Sequence, residues 1–217
     1  MSRIKKAKIR NPSSISIAQK HEDLSEKKKK RNSTIMTAFV AFIMIASVMG
    51  YMWMNPEEIV PYNKFKFAKR DNGWYSKDFK AIFDFHPFNL EDIAVEQGIK
   101  EKISGTYMAY LSYDLNSSHK KDIARSMFLL NEFLVQSKNM YVLPGSLNEN
   151  DFNISVIRCD NATSGVPVII FEASNSTLIR TDKANENCII LSASTSADFA
   201  RVKDRMIYAL LGVMNSS

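Results

Sequence analysis

Few residues of this chain have the type and spacing that catalysis requires. Only His86 and His119 follow the longest apolar run, and the chain has no HExxH zinc motif, no phosphate-binding glycine loop and no G-x-S-x-G serine motif. Glu91 and Asp92 resemble an acid–base pair, but adjacent residues of a helix point in different directions. The sequence therefore predicts no catalytic, cofactor-binding or metal-binding residue, and it leaves His86 and Asp160 as weak site candidates.

Both weak candidates also have a purely structural explanation. His86 stands between Phe85 and Pro87, where a histidine more often packs in a turn than binds a ligand. Asp160 follows Cys159 in a run of polar residues, and an Asx-type turn explains that pattern better than a site does. A functional role for either residue would need a pocket that joins it to a second ionisable group.

The chain has two cysteines, Cys159 and Cys188, and each lies at the end of a predicted strand. An even count in an oxidising compartment indicates one disulfide. It would close a loop of about thirty residues, which is worth roughly 3–4 kcal/mol in the chain-entropy treatment. The alternative is two buried free thiols. No CxxC motif is present, so a thioredoxin-type redox function has no support.

Five N-x-S/T triplets without a central proline follow the apolar run. Such triplets accept N-linked glycans in secreted chains, and several of these lie in predicted loops. The sequence therefore predicts a glycosylated surface. The candidate sites are Asn116, Asn153, Asn161, Asn175 and Asn215.

The apolar run itself, residues 35–54, reads IMTAFVAFIMIASVMGYMWM. A helix of this length is roughly 30 Å long, the thickness of the hydrocarbon core of a bilayer. Tyr51 and Trp53 near its end are typical of a membrane interface. We predict a transmembrane helix at 35–54 that acts as a signal-anchor. A cleaved signal peptide is the alternative, although 34 preceding residues are long for one.

A basic tail precedes this span. Residues 1–34 carry a net charge of +8, so the residues after the span hold −2 of the chain's total of +6. The more basic flank of a span stays in the cytoplasm. We therefore predict a type II, single-pass protein of the plasma membrane, with a disordered cytoplasmic tail at 1–34 and an extracytoplasmic globular domain at 55–217. The near-neutral domain predicts no nucleic-acid surface.

The tail also predicts a contact with lipid, because a basic cluster beside a membrane attracts anionic headgroups. That cluster consists of Lys27, Lys28, Lys29, Lys30 and Arg31.

Hydrophobic periodicity predicts strands and helices throughout the domain. Asp71-Asn72-Gly73 favours a hairpin turn, and a strand–helix–strand order at 106–143 favours a right-handed parallel crossover. We predict an α/β fold, with a mixed α+β arrangement as the alternative, that has a central mixed sheet and two main amphipathic helices. The predicted strands are 62–69, a return from Trp74, 79–85, 106–113, 139–143, 154–159, 166–172, 177–180 and 188–191; the helices are 119–137 and 196–213, with a short helix or turn at 89–97.

The C-terminal third contains the segments C-D-N-A-T (159–163), P-V-I-I-F (167–171), N-S-T-L-I (175–179), N-C-I-I-L (187–191) and D-R-M-I-Y-A-L-L-G-V (204–213). With Y-N-K-F-K-F after the span and the F-H-P element, these resemble a set of uncharacterised archaeal single-pass membrane proteins. The resemblance covers most of residues 62–213. It implies an extracytoplasmic domain on one N-terminal helix and brings no known activity.

The missing catalytic motifs, the sequons and the near-neutral charge favour a non-catalytic function. We predict a membrane-anchored extracytoplasmic interaction or structural module, as a component of a cell-envelope complex with an unknown protein partner. The alternative is a membrane-tethered, hydrolase-like enzyme whose carboxylate acid–base residues no motif reveals. A third interpretation is a span that packs on partner helices through its small residues.

Overall fold

The computed structural model describes Lys30, residues 32–50 and residues 58–215. The chain divides into two compact units, Met1–Pro56 and Glu57–Ser217. In the first unit, helix α1 (Asn32–Gly50) has 19 residues and a mean hydropathy of 2.0. Within the described ranges it is the one helix long and apolar enough to cross a membrane, and a signal sequence would have the same properties. The rest of the predicted tail and residues 51–54 of the predicted span lie outside the described residues.

The second unit combines two sheets with helices, which confirms the predicted mixed class. Its elements are, in chain order, β1 (Ile59–Tyr62), β2 (Phe65–Arg70), β3 (Gly73–Ser76), β4 (Ala81–Phe83), a 3₁₀ turn (Pro87–Leu90), β5 (Ala94–Val95), α2 (Ile99–Ser104), β6 (Met108–Tyr113), α3 (Lys120–Lys138), β7 (Tyr141–Ser146), a 3₁₀ turn (Cys159–Asn161), β8 (Val168–Ala173), β9 (Leu178–Thr181), β10 (Cys188–Ala193) and α4 (Ser196–Leu211).

The larger sheet has six strands in the order β5-β9-β10-β8-β6-β7. The pairs β6–β7, β6–β8 and β8–β10 are parallel, and β9–β10 is antiparallel. Strand β6, helix α3 and strand β7 therefore form the predicted parallel crossover. The central strands β8 and β10 are nearly continuous apolar runs because both of their faces are covered.

The smaller sheet is an antiparallel meander in the order β1-β2-β3-β4. Helix α4 packs against β10 of the larger sheet, and its Tyr208 also packs against two aromatic side chains of the smaller sheet. The ring centroid of Tyr208 lies 5.7 Å from that of Phe67 and 4.4 Å from that of Phe83. Helix α4 is therefore buried on nearly all sides, including Lys203 and Asp204, which sequence periodicity assigns to a polar side.

The other face of the larger sheet is covered by the loop between β7 and β8, residues 147–167, which we call the loop layer and which a disulfide holds in place. Cys159 and Cys188 are bonded, as predicted, and their Cα atoms are 5.1 Å apart. Ile157 and Ala162 of this layer pack against Val168 and other residues of the sheet in a second, smaller core. The disulfide thus fastens the layer to the first residue of β10.

Several predicted elements differ in detail. The strand predicted at 62–69 is divided by a turn at Asn63, whose φ is 52°. The strand predicted at 154–159 is reduced to a single bridge between Ser146 and Val156. Strand β7 continues through Pro144-Gly145 because it is an edge strand, where a missing donor is tolerated. A Cβ on Gly145 would lie 2.6 Å from Cδ1 of Ile157, so glycine lets the loop layer approach there.

Candidate functional site

A groove of about 690 Å³ lies between β4 and α3, and we call it the β4–α3 groove. Strand β4 and its flanking residues form one wall, and three turns of α3 form the other. Ile207 and Lys203 of α4 also line it. Its other lining residues are Asn72, Phe79, Lys80, Ala81, Ile82, Phe83, Asp84, Arg125, Leu129, Glu132, Phe133, Gln136 and Ser137.

The β4 wall of this groove is the open edge of a sheet. In the described part of the chain, β4 pairs with β3 alone, so its outer backbone groups face away from any strand. The α3 wall extends from Arg125 to Ser137. The twelve residue-to-residue steps between them correspond to about 18 Å, which is the length of about five residues of extended chain. The groove can therefore hold a short extended segment against β4.

A charged cluster closes one end of the groove. Asp84 accepts from Arg125 Nη2 at 3.0 Å through Oδ1 and from Lys203 Nζ at 2.7 Å through Oδ2. The side chain of Arg125 is 67% exposed, whereas that of Lys203 is 3% exposed. A neighbouring cavity of about 370 Å³ shares Asp84 and Arg125 with the groove. Both carboxylate oxygens of Asp84 are thus held by cations of this protein.

Behind this cluster lies the buried carboxylate of Asp204. Its Oδ2 accepts from the backbone N–H of Phe85 at 2.8 Å. Lys203 Nζ lies 2.7 Å from Oδ1 and forms an ion pair with it. Burial raises the pKa of Asp204 to about 6, and the charge of Lys203 opposes that rise. Asp204 does not line the groove. The hydroxyl of Tyr208 donates to the carbonyl of Phe85 at 2.8 Å, so Asp204 and Tyr208 together fasten the backbone of Phe85 to α4.

Two other charged residues of α4 hold the 84–93 connection at positions that follow Phe85. Arg201 pairs with both oxygens of Asp92 at 2.7 and 2.8 Å and with Asp198 at 2.9 Å. Arg205 donates through Nε to the carbonyl of Ile93 at 3.1 Å. Burial lowers the pKa of Arg205. The charges of α4 therefore hold the 84–93 connection in place.

His86 lies outside the groove, in an aromatic cluster beside the 3₁₀ turn at Pro87–Leu90. It is 4% exposed, and its ring centroid is 4.7 Å from that of Trp74, 5.3 Å from that of Phe67 and 6.1 Å from that of Tyr62. A cavity of about 240 Å³ opens beside it, which we call the His86 cavity. The cavity is lined by Val60, Pro61, Tyr62, Trp74, His86, Phe88 and Asn89.

The hydrogen bonds of His86 fix its tautomer. Nδ1 accepts from the backbone N–H of Phe88 at 3.3 Å, so a neutral ring carries its proton on Nε2. Nε2 is buried and has no hydrogen-bond partner in the described residues. Burial lowers the pKa of His86, and the backbone carbonyl of Val60 beside the ring opposes this. The ring is therefore neutral near pH 7.

The structure does not bring the two sequence candidates together. Asp160 is exposed in the 3₁₀ turn of the loop layer, whereas His86 packs against Phe67 of the main core. His119 Nδ1 lies 2.9 Å from Oγ of Ser196. Among the described residues, no three His, Cys, Asp or Glu side chains are placed to hold a metal ion.

The five candidate glycosylation residues are all exposed, and none of them lies in a strand or an α-helix. Asn161 also accepts from the backbone N–H of Arg158 at 2.8 Å. Their modification stays a prediction, because exposure is a requirement for a glycan and not a sign of one.

The groove was not predicted from the sequence. Its open edge depends on the order of the four strands, which is set by tertiary pairing. The burial of Lys203 and Asp204 was not predicted either, because the periodicity of α4 puts them on a polar side, which is covered only once the smaller sheet packs there.

Comparison of this chain with protein-family models, with curated proteins and with solved structures finds no match. The archaeal resemblance therefore stays an expectation.

Proposed function

We propose that this protein is a membrane-anchored, extracytoplasmic interaction module that holds an extended segment of a partner protein in the β4–α3 groove. Helix α1 is its anchor, and the basic tail holds the cytoplasmic side at anionic lipid headgroups. The resemblance to archaeal single-pass membrane proteins is consistent with this arrangement, as is a role within a cell-envelope complex.

The composition and hydrogen bonding of α1 support the anchor. Its apolar side chains are exposed, and two of its hydroxyl groups find partners within the helix. The hydroxyls of Thr37 and Ser47 donate to the carbonyls of Ser33 and Ile43 at 2.9 and 2.7 Å. Polar groups must be satisfied internally in hydrocarbon, and these pairs meet that requirement.

The observation that carries the interaction function is the open edge of β4 beside a helix. An extended peptide that adds to a sheet edge gains main-chain hydrogen bonds, and pockets beside the edge select its side chains. Here Leu129 and Phe133 of α3 offer apolar contacts, and Glu132 and Arg125 offer charged ones. The β4–α3 groove therefore offers both an open sheet edge for main-chain hydrogen bonds and, opposite it, side chains that can select the residues of the segment.

The alternative is a membrane-tethered, hydrolase-like enzyme. Asp84 favours it, since this carboxylate lines both the groove and the neighbouring cavity. A general base needs a free oxygen within reach of the substrate proton. Both oxygens of Asp84 are engaged by cations, so the interaction module is the better-supported function.

Protease protection of membrane vesicles tests the placement. We expect the 55–217 region of the full-length protein to be protected in inside-out vesicles, to carry glycans removable by glycosidase, and to migrate as an oxidised species on non-reducing gels. Digestion of this region from the cytoplasmic side, with free thiols at Cys159 and Cys188, would place it in the cytoplasm and overturn the proposal.

Site-specific photocrosslinking in cells tests the groove. A photoreactive phenylalanine at Ile82, which is 47% exposed, should form an adduct that maps to one short segment of one partner. Gln136→Phe should abolish that adduct by filling the groove. Val135→Phe is the matched control, because Val135 is the adjacent residue of α3 and does not line the groove.

A second photoreactive position, at the exposed Phe152 of the loop layer, measures random capture. An adduct at Ile82 that is no stronger than the one at Phe152, or that survives Gln136→Phe, would contradict docking in the groove. The chain would then remain anchored but would need another binding surface.

A further inference from the structure

We propose that the outer face of the smaller sheet binds the anionic headgroups of the bilayer in which α1 is anchored. We call this surface the meander face, and it carries a cavity of about 440 Å³. The proposal rests on the membrane anchor proposed above and does not depend on the β4–α3 groove. The cavity is lined by Ile59, Lys64, Lys66, Ala68, Tyr75 and Lys77.

Strand pairing brings the side chains of the meander face together. Ile59 of β1 is paired with Ala68 of β2, and Ala68 is paired with Tyr75 of β3. Residues two apart in a strand share a face, so Lys66 lies on the same side as Ala68. Lys77 follows β3 directly and lines the same cavity. The meander face therefore has an apolar row across three strands, with lysines beside it.

The lysines of this face are not neutralised by carboxylates of the protein. Lys64, Lys66 and Lys77 are exposed, and no ion pair among the described residues includes any of them. Asp78 is the one carboxylate of the cavity lining. The meander face is therefore positive, although residues 55–217 together carry a net charge of −2.

The apolar row gives this positive surface the composition of a membrane interface. Ile59 is 54% exposed. The guanidinium carbon of Arg70 lies 4.0 Å from the ring centroid of Tyr75, which adds a cation at the same face. Tyrosine rings and the apolar stems of lysines suit the headgroup level of a bilayer, and the lysine ammonium groups are attracted to anionic lipids. A soluble anion would use the lysines and leave the apolar row exposed.

The position of the meander face in the chain favours lipid over a soluble acidic partner. Ile59 is only five residues after Met54, the last residue of the predicted span. Five residues of fully extended chain reach at most about 18 Å. The anchor therefore keeps β1 near the bilayer surface, where the local concentration of headgroups is high and a weak attraction is sufficient for binding.

The test is photocrosslinking of the full-length protein in nanodiscs. A photoreactive phenylalanine replaces Tyr75, and mass spectrometry measures the phospholipid adduct. The discs contain phosphatidylcholine alone or in equal amounts with phosphatidylglycerol, which is anionic. We expect about threefold more adduct, or greater, in the anionic discs. Sodium chloride at about 1 M should remove the difference, because the Debye length then falls to about 3 Å.

Two triple variants assign the adduct to the lysines. Lys64→Gln with Lys66→Gln and Lys77→Gln should lower the adduct in anionic discs about fivefold or more, since each lysine near an anionic surface contributes about fivefold in affinity. These lysines are exposed, so the fold should survive. The matched control removes the same charge at three exposed lysines elsewhere and should change the adduct less than about twofold. The control substitutions are Lys120→Gln, Lys121→Gln and Lys183→Gln.

Four results would overturn the proposal. Two of them are equal adducts in the two kinds of disc and equal effects of the two triple variants. The third is loss of the adduct when inorganic phosphate is added at constant ionic strength, which would indicate a site for a soluble anion. The fourth is an adduct with a protein in place of lipid when the same variant is illuminated in cells, which would assign the face to an acidic partner.

The anchor is measured separately, by retention of the protein in neutral discs at about 1 M sodium chloride, where attraction between charges is screened. A protein that is retained but shows no charge-dependent adduct keeps its anchor and loses this site, whereas a protein that is washed out loses both. Gln136→Phe should leave the lipid adduct unchanged, so failure of groove docking is also observed separately.

Discussion

Asp204 is a carboxylate whose environment opposes its charge. It is fully buried, and although Lys203 lies beside it, burial raises its pKa from 3.8 to about 6. Between those two values the folded state binds a proton that the unfolded state releases. This residue therefore favours folding more at pH 4 than at pH 7, by roughly 2 kcal/mol. The neutral His86 acts in the opposite direction, because the unfolded state binds the proton first as pH falls below 6.5.

Asp204→Asn should remove the contribution of Asp204 and leave that of His86. We expect the free energy of unfolding of the variant to fall relative to that of the wild type, by roughly 2 kcal/mol, as the pH is lowered from 7 to 4. Urea denaturation at several pH values measures this difference. The exposed Asp78→Asn is the control and should follow the wild type.

Parallel pH curves for Asp204→Asn and wild type would contradict this account. They would mean that Lys203 holds Asp204 ionised throughout the range, so that the ion pair, not burial, sets its titration.

At the scale of elements, helix α4 begins with a reciprocal cap. The hydroxyl of Thr195 accepts from the backbone N–H of Asp198 at 3.3 Å, and a carboxylate oxygen of Asp198 accepts from Thr195 N at 3.1 Å. Burial alone would raise the pKa of Asp198, but hydrogen bonds from Arg201, Ser194 and Thr195 lower it to about 2. The cap therefore stabilises the fold above about pH 4 and is lost as the pH falls towards 2.

Thr195→Ala should lower the free energy of unfolding by about 1 kcal/mol at pH 7, since it leaves one backbone donor at the start of α4 without its cap. Urea denaturation measures the loss, and Ser164→Ala in an exposed loop is the control. A change in Thr195→Ala no larger than in Ser164→Ala would show that packing alone fixes the start of α4.

Elements with strong local signals were predicted well. The hairpin at Asp71-Asn72-Gly73, the crossover helix α3 and the capped helix α4 each carry turn, cap or periodicity information in adjacent residues. The six-residue helix α2 was missed, and 154–159 was assigned as a strand, because short segments take their conformation from tertiary contacts. The groove was missed for the same reason, as an open edge is a property of strand order.

The candidate residues show the same limit. The sequence placed His86 in a turn beside aromatic residues, and the structure agrees with that structural explanation. It could not show that a cavity opens beside His86, because Trp74, Val60 and Phe88 reach this residue from separate segments.

At the scale of the whole molecule, the second unit has two cores of unequal size on the two faces of the larger sheet. The helix-covered face carries the larger one, and the loop layer covers the smaller one. Only the smaller core is closed by a covalent bond, between residues separated by 29 positions. A thin layer of loop buries little surface, so its attachment should depend on that bond more than the helices do.

Replacing both cysteines, in Cys159→Ala with Cys188→Ala, should therefore lower the free energy of unfolding by roughly 3–4 kcal/mol, the expected value for a loop of this length. The loss should be uneven. Amide hydrogens of 155–166 should exchange much faster than in the oxidised wild type, whereas those of α3 and α4 should keep their order of protection. Hydrogen exchange followed by mass spectrometry measures both regions at once, and reduced wild type is the matched sample. Equal acceleration across both faces of the sheet would mean that the two cores unfold as one unit, and the disulfide would then stabilise the whole second unit rather than fasten its loop layer.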